Sequence, residues 1–569
     1  MNATARIKIK KNSKTLGQFA NLPSAFKNAP KGTVNKDVII AKIDMLKRVV
    51  SKQLQEAGSQ LSQINRYNLK NEKRVEMVNA IMVSVYAVMS KYYRQYQSNI
   101  LSLPESKERR EIILACVEIT AQAAIAYKHY FKEIYSARLI GYRRHRDKCI
   151  ELGIRILELL RVEQRFLALR HQKLAPSSWL DINRVFFSLL FHNDIDVEKN
   201  LLGNIGTWTK KTTDKHQNAK ASARKIYISL QLFGLLDAPS WSTRLFHTPD
   251  AYLEIISDAI TIHADDGAEL EPGWLVTNVD HKGPPLFQRE PHLVEPSIKI
   301  EYSNLYNRMI IDYEELAKMK FIDQVDDNKL CRPLLELEPI ERFPLLETML
   351  FGLRPRERKQ KRHAAFGHEG LKIYFNYKNT FDLLAEMASD DIKRLTRTRA
   401  FSDSLAGVSA GLSRGTGSIK DTQWEIVNFS TGGILVLTRE SAYTNPIQIG
   451  QIVAFNPNDD VKRPLLGYVS RINRPSDQQV EVAIVRFSNH AEAALLNDDK
   501  HSGDNSAGVI IFQSMEAKWC LIAKHDYNFV PGSPFKLSRE DGKTLPARLG
   551  NVMLSKQEFI VYELSSPGL

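Results

Sequence analysis

Near residue 350 the spacing of apolar residues changes, and that change restricts the chain to a fold built from two kinds of domain. From about Val34 to Glu347 apolar side chains recur at three- and four-residue steps; farther on they come in short β-rich runs separated by turn formers. The clearest helical stretch is Glu111 to Val162, where Ile112, Ile113, Cys116, Ile119, Ala123, Tyr127, Tyr130, Phe131 and Ile134 fall on one stripe. Asp37 to Leu54 and Val75 to Tyr96 repeat the pattern. A loop at Leu174-Ala175-Pro176 precedes another helix through Phe186, Phe187, Leu189 and Leu190, with Ser177 or Ser178 as its expected cap. A comparable break lies at Ala238-Pro239-Ser240-Trp241. Such helices seldom stand alone in water, so they are expected to pack as a multi-helix array. Between Glu269 and Pro296, Gly, Pro, Asp and His accumulate, which reads as short strands or an irregular excursion.

In the C-terminal third, Glu425–Val427, Gly433–Leu437, Gln451–Phe455, Leu466–Ile472 and Val480–Phe487 form one β group, in the manner of an antiparallel barrel. Gly508–Phe512, Trp519–Ala523, Phe535–Leu537, Leu545–Leu549 and Phe559–Tyr562 form a second, after the polar stretch Asn497 to Gly508. Ala406 to Ser418, rich in Gly and Ser, reads as a mobile insertion. A length of 569 residues exceeds one core, and 43% hydrophobic with 25% charged residues is ordinary for a soluble protein. The net charge of +14 favours anionic partners without choosing among them. Four scattered cysteines (Cys116, Cys149, Cys331, Cys520) contain no C-x-x-C pair, which suits reduced thiols in the cytoplasm and gives no zinc-site spacing. No apolar run approaches the roughly 18 residues of a membrane span. Residues 1–30 carry Arg6, Lys8, Lys10, Lys11, Lys14 and Lys27 with no acid, and read as a disordered basic tail.

Two short patterns carry the ligand chemistry. Arg358-Lys359-Gln360-Lys361-Arg362 is R-x-x-x-R, and Asn428-Phe429-Ser430-Thr431-Gly432-Gly433 is N-x-S-x-x-G running into Ile434-Leu435-Val436-Leu437. In this order, each followed by a strand-like run, they resemble the signature of the bacterial PilZ domain, a small β-barrel that binds cyclic di-GMP. Gly467, opening Gly467-Tyr468-Val469, strengthens the likeness. The resemblance implies a binding set of Arg358, Arg362, Asn428, Ser430 and Gly433. Arg354 and Arg358 form a second R-x-x-x-R frame, so Arg354 and Arg356 are further candidates. The chemistry fits: arginine offers fixed charge, bidentate donors for guanine O6 and N7, and a flat cation for stacking, which lysine does not. Asn and Ser donate and accept at base edges and phosphates, and glycine permits close backbone approach or positive φ. The gap between Arg362 and Asn428 is longer than the family usually has, because of residues 380–421. A looser likeness extends to bacterial proteins with a long helical region before such a barrel, through Trp179-Leu180-Asp181-Ile182 and Gly370-Leu371-Lys372-Ile373-Tyr374-Phe375.

The expected fold is therefore multidomain: the basic tail, an all-α helical array over 31–350, an arginine-rich linker over 351–363, a PilZ-like antiparallel β-barrel over 364–496 with an insertion at about 380–421, and a β-rich module over 508–569. Other constellations carry little. His145-Arg146-Asp147 sits in a helical pattern without a Gly-rich phosphate loop. His263-Ala264-Asp265-Asp266 has no second histidine cluster at ligand spacing, and Gly407, Gly411, Gly415 and Gly417 make no P-loop. With no catalytic, metal or cofactor residues singled out, the chain reads as a cytoplasmic, non-enzymatic second-messenger receptor in signal transduction, its helical domain meeting an unidentified protein partner. Two other readings stay open: a helical scaffold whose barrel no longer binds nucleotide, and a nucleic-acid binder using the basic linker. The linker lacks the aromatic interleaving of single-strand platforms, so nucleic acid is not the expected partner.

Overall fold

The computed structural model of the chain describes residues 35–98, 105–136, 142–203, 220–246, 260–288, 296–319, 332–335, 339–355, 363–364, 371–388, 424–439, 447–456, 464–497, 507–524 and 529–566, apart from a few positions inside these ranges, with 16–19, 22, 205, 252 and 330 besides. The chain divides into two units, residues 1–100, 105–338 and 345–356, and residues 101–104, 339–344 and 357–569.

The first unit is built on helices α1 (Lys36–Met45), α2 (Val50–Arg66), α3 (Asn71–Ser98), α4 (Lys107–Ser136), α5 (Arg146–Ala168) and α6 (Pro176–Phe191). A short antiparallel pair follows, β1 (Glu198–Asn200) and β2 (Lys220–Ser222), then α7 (Ala223–Leu235). Strands β3 (Thr261–Ala264), β4 (Trp274–Asn278) and β5 (Ser297–Glu301) make an antiparallel sheet in the order β3-β5-β4, which gives the expected excursion a definite form. Helices α8 (Ser303–Met319), α9 (Arg332–Leu335) and α10 (Pro339–Gly352) come last, with residues 339–344 of α10 falling in the second unit. The stripe of α4 is buried as its spacing requires, with Tyr130 alone half-buried. Helix α5 is buried nearly all round and packs against α4, α6 and α7. Two of its buried charges have close partners, since an isolated ion there would be expensive. Glu158 takes the backbone N–H of Leu202 at 2.6 Å and an Arg155 Nη1 contact at 2.9 Å. The Arg165 guanidinium donates to Ser229 at 3.0 Å and lies 3.5 Å from the centroid of the Phe233 ring.

Three local expectations change. Asp37 to Leu54 is two helices, α1 and α2. Helix α6 starts at Pro176 with Ala175 as its N-cap, so neither Ser177 nor Ser178 caps it. Proline at the first helical position needs no N–H partner there. Ser178 Oγ donates instead to Glu163 at 3.3 Å. Within the N-terminal tail, residues 16–19 are held: the Phe19 ring meets Phe131 edge-on at 5.9 Å, and Arg184 Nη1 donates to the Gln18 carbonyl at 3.3 Å.

The second unit joins two β bodies. Strands β6 (His363–Ala364), β7 (Lys372–Phe375), β8 (Glu425–Ser430), β9 (Gly433–Arg439), β10 (Ile452–Asn456), β11 (Leu465–Ser476) and β12 (Gln479–Ser488) form an antiparallel sheet in the order β6-β8-β9-β12-β11-β10-β7. Leu371, just before β7, bridges to Trp424, just before β8, so the sheet curls into a ring. The ring encloses alternate residues of its strands, among them Phe375, Trp424, Ile426, Val436, Val453, Val469 and Val482. The second body is a closed barrel in the order β13-β14-β15-β18-β17-β16, formed by β13 (Ala491–Asn497), β14 (Ala507–Gln513), β15 (Trp519–Lys524), β16 (Pro534–Ser538), β17 (Thr544–Ser555) and β18 (Phe559–Ser565). Residues 491–496, grouped by sequence with the first β unit, thus belong to the second: β13 pairs with β14 and β16.

A helix, α11 (Tyr377–Ala385), starts the stretch that read as an insertion. Tyr377, Phe381 and Leu384 pack with Ile452 and Leu466 of the ring and with Ala493, Ile510 and Ile522 of the barrel. Strand β14 is accordingly buried on both faces, Val509 and Ile511 into the barrel and Ile510 and Phe512 against this shared core.

Candidate functional site

One extra residue in β8 sets the direction of the N-x-S-x-x-G motif. Strands β8 and β9 pair Ile426 with Val436 and then Asn428 with Leu435, leaving Val427 as a bulge. Ile426 and Val436 face the ring core. In an unbroken strand Asn428 and Ser430 would share the face of Ile426, since parity repeats every two residues. The bulge moves both to the outer face, alongside Leu435 and Gly433.

At the tip of this hairpin Ser430 pairs with Gly433, and its hydroxyl donates weakly to the Gly433 carbonyl at 3.4 Å. Gly433 is not among the glycines with positive φ. Its reason is close approach: a Cβ there would lie 2.3 Å from the Ile484 carbonyl oxygen. Gly467 is confined in the same way on the other flank of β12, 2.4 Å from the Val485 carbonyl.

Cross-strand register turns the outer face into rows, because directly opposed residues share a face. One row runs Ser430, Gly433, Val485, Tyr468. The next runs Asn428, Leu435, Ala483, Arg471. A third, Glu425, Leu437, Glu481, Asn473, is acidic, with Asn473 Nδ2 donating to Glu481 at 2.8 Å. The first row carries no charge, the second carries Arg471, and the two carboxylates of the third repel an anion. Asn428 is half-buried, and its amide makes no hydrogen bond to another described residue.

Strand β6 brings the arginine segment's continuation to this face. His363 pairs with Phe429 and Ala364 with Asn428, antiparallel. Arg356, Arg358 and Arg362 lie outside the described residues. Arg354 is described, in the first unit: its Nε donates to the Tyr306 hydroxyl, and its guanidinium lies 5.6 Å from that ring's centroid. There it lines a cavity of about 560 Å³ with Trp274, Phe287 and Tyr302. Sequence reasoning did not single out Arg471, whose place in a row with Asn428 follows only from two intervening strands. No group of three His, Cys, Asp or Glu side chains among the described residues is placed to hold a metal. None of the described helices is long and apolar enough to cross a membrane.

Against known families, residues 47–266 match the family described as the N-terminal domain of the cyclic-di-GMP receptor FimW. The matched stretch runs from just before α2 to just after β3, inside the helical half of the chain and apart from the ring motifs. No curated protein and no solved structure matches the chain.

Proposed function

We propose that the chain is a non-enzymatic, cytoplasmic bacterial receptor for cyclic di-GMP, which the outer face of the β ring and the arginine segment hold between them, while the helical unit carries the response to a protein partner. The observation that supports this reading is the pairing of His363–Ala364, which directly follow the arginine pattern, with Asn428–Phe429 of the second motif. Residues four apart in an extended chain face one side, so this reading assigns Arg358 and Arg362 of the R-x-x-x-R pattern to one ligand. The two guanidinium groups then supply charge-assisted, bidentate contacts to phosphate and guanine, while Asn428 and Ser430 read a base edge or phosphate. The family match on residues 47–266 supports the same ligand through a different part of the chain.

Titration calorimetry of the full chain with cyclic di-GMP tests this. Saturable heat is expected, lost in Arg358→Ala and in Arg362→Ala with the melting temperature unchanged. Silence from the unmodified chain sinks the reading.

A further inference from the structure

We propose that the cavity of about 560 Å³ in the first unit is a guanine-binding site, where Arg354 and Glu271 read two edges of the base and aromatic rings of the wall stack on it. Nothing in it depends on the ring motifs, so it stands or falls apart from the reading above. The volume lies within the range of about 300–1,000 Å³ usual for small-molecule sites. Trp274, Phe287, Tyr302 and Tyr306 line it, and rings of this kind stack on a planar base.

The walls come from separate stretches of chain that are tied to one another, so the cavity is built before a ligand arrives. Gly273, just before β4, has a φ of +92°, and a Cβ there would lie 2.3 Å from Ser303 Oγ at the start of α8. The Tyr302 N–H donates to the Gly273 carbonyl at 2.9 Å, and the Tyr302 hydroxyl donates to the Leu353 carbonyl at 2.6 Å. Val276 and Leu286 exchange two backbone hydrogen bonds of 2.9 Å, which hold Phe287 beside β4. The Trp274 ring is braced by His263, with 5.2 Å between ring centroids.

Two opposite charges on the lining select the base. The Arg354 Nε–H is taken by the Tyr306 hydroxyl, while its two Nη groups make no hydrogen bond to another described residue. The Tyr306 ring, 5.6 Å from the guanidinium, steadies the fork. Such a fork matches guanine O6 and N7. The Glu271 carboxylate, which also lines the cavity, only accepts, and the neighbouring guanine edge offers the N1–H and N2–H2 donors. Adenine carries a donor in place of O6 and a bare acceptor in place of N1–H, so donor would face donor and acceptor face acceptor.

The test is calorimetry of the full chain with GMP, AMP and cyclic di-GMP, repeated on Glu271→Ala, Arg354→Ala and Arg354→Lys, with melting temperatures alongside. GMP is expected to bind at least about tenfold more tightly than AMP, and each substitution to weaken GMP about tenfold with melting unchanged. Arg354→Lys belongs with the others because it keeps the charge and loses the fork. If the same substitutions weaken cyclic di-GMP equally, the guanine is that of the second messenger; if they leave it untouched, it is that of a mononucleotide. Equal binding of GMP and AMP overturns the site, as does GMP binding indifferent to Glu271→Ala and Arg354→Ala, or retained in full by Arg354→Lys. Weakening accompanied by lowered melting temperatures assigns these side chains to packing and overturns it too. Silence from GMP with cyclic di-GMP binding unaltered in all three variants removes the site and leaves the receptor reading standing, and silence from both ligands removes both.

Discussion

The Glu558 carboxylate accepts the backbone N–H of Tyr377 at 2.7 Å and fastens the β17–β18 turn of the barrel to the start of helix α11. Its second oxygen takes the N–H of Ile452 at 3.1 Å, on ring strand β10. The first N–H groups of a helix have no partner within it, and negative charge is favoured at that end. Tyr377 returns the contact: its hydroxyl lies 3.0 Å from the Gly508 carbonyl and 3.1 Å from that of Ile522. Ring, helix and barrel are thus tied at one point.

Glu558→Gln removes one of the two acceptors and sets an NH2 group against a backbone donor. A loss of about 1–2 kcal/mol in the stability of the second unit is expected, read by urea unfolding. Burial raises the Glu558 pKa from the ordinary 4.5, against the two N–H bonds that lower it. The folded state then holds the proton above the pH at which the unfolded chain releases it. Stability should fall as pH rises from 4.5 through the raised value, and this slope should vanish in Glu558→Gln. Parallel profiles would count against the latch.

Tyr377→Phe keeps the ring stacked on Phe381 and deletes only the hydroxyl. Two buried carbonyls lose a donor, so a cost of about 1–2 kcal/mol is expected in urea unfolding. Unchanged stability would mean that α11 is held by apolar packing alone.

What could be read from the sequence was local. The α4 stripe and the β-rich runs were visible because Ile112, Ile119 and Phe131, or Val480 and Val482, signal their periods within a few residues. Helix α11 was missed because Tyr377, Phe381 and Leu384 complete barely two turns, and their partners lie on β10 and β11 of the ring and beyond residue 490. The placement of β13 was equally non-local: Ala491–Asn497 has Ala or Leu on both faces and fits either body until β14 and β16 claim it. Of the site, the residue types at 428, 430 and 433 were legible. The Val427 bulge that turns them outward was not, since a bulge exists only relative to the partner strand. Gly433 was marked for either positive φ or close approach, and only the Ile484 carbonyl decides between them.

In the helical unit, Glu163 is buried on α5 beside the Lys128–Asp181 ion pair, whose Nζ and Oδ2 are 2.6 Å apart. Glu163 has the Ser178 hydroxyl at 3.3 Å and shares the Lys128 ammonium with Asp181, and both of these lower its pKa less than burial raises it. Burial, with lesser repulsion from Asp181 and Glu118, pushes its pKa up to about 7. Folding therefore favours the protonated form, and stability should decline from about pH 4.5 to about pH 7 and then level off. Glu163→Gln should flatten that decline and melt above the unmodified chain at pH 8, a difference measurable by calorimetry across pH 5 to 8.5. Identical pH profiles would show Glu163 to be ionised throughout.

Gly433→Ala separates folding from ligand contact within the motif. The added methyl would meet the Ile484 carbonyl oxygen at 2.3 Å, with Val485 Cα at 3.4 Å behind it. Both are backbone atoms of a strand paired on each side, to β9 and to β11, so neither can retreat by a rotamer change. A cost of about 1–3 kcal/mol in unfolding follows from such overpacking. Gly467→Ala, 2.4 Å from the Val485 carbonyl on the opposite flank, should cost a similar amount. Asn428→Ala, at a half-buried amide without a described partner, should leave the melting temperature nearly unchanged and weaken cyclic di-GMP binding about tenfold. If Gly433→Ala melts with the unmodified chain, β12 gives way more easily than its two ladders imply, and glycine there would answer to the ligand instead of to the fold.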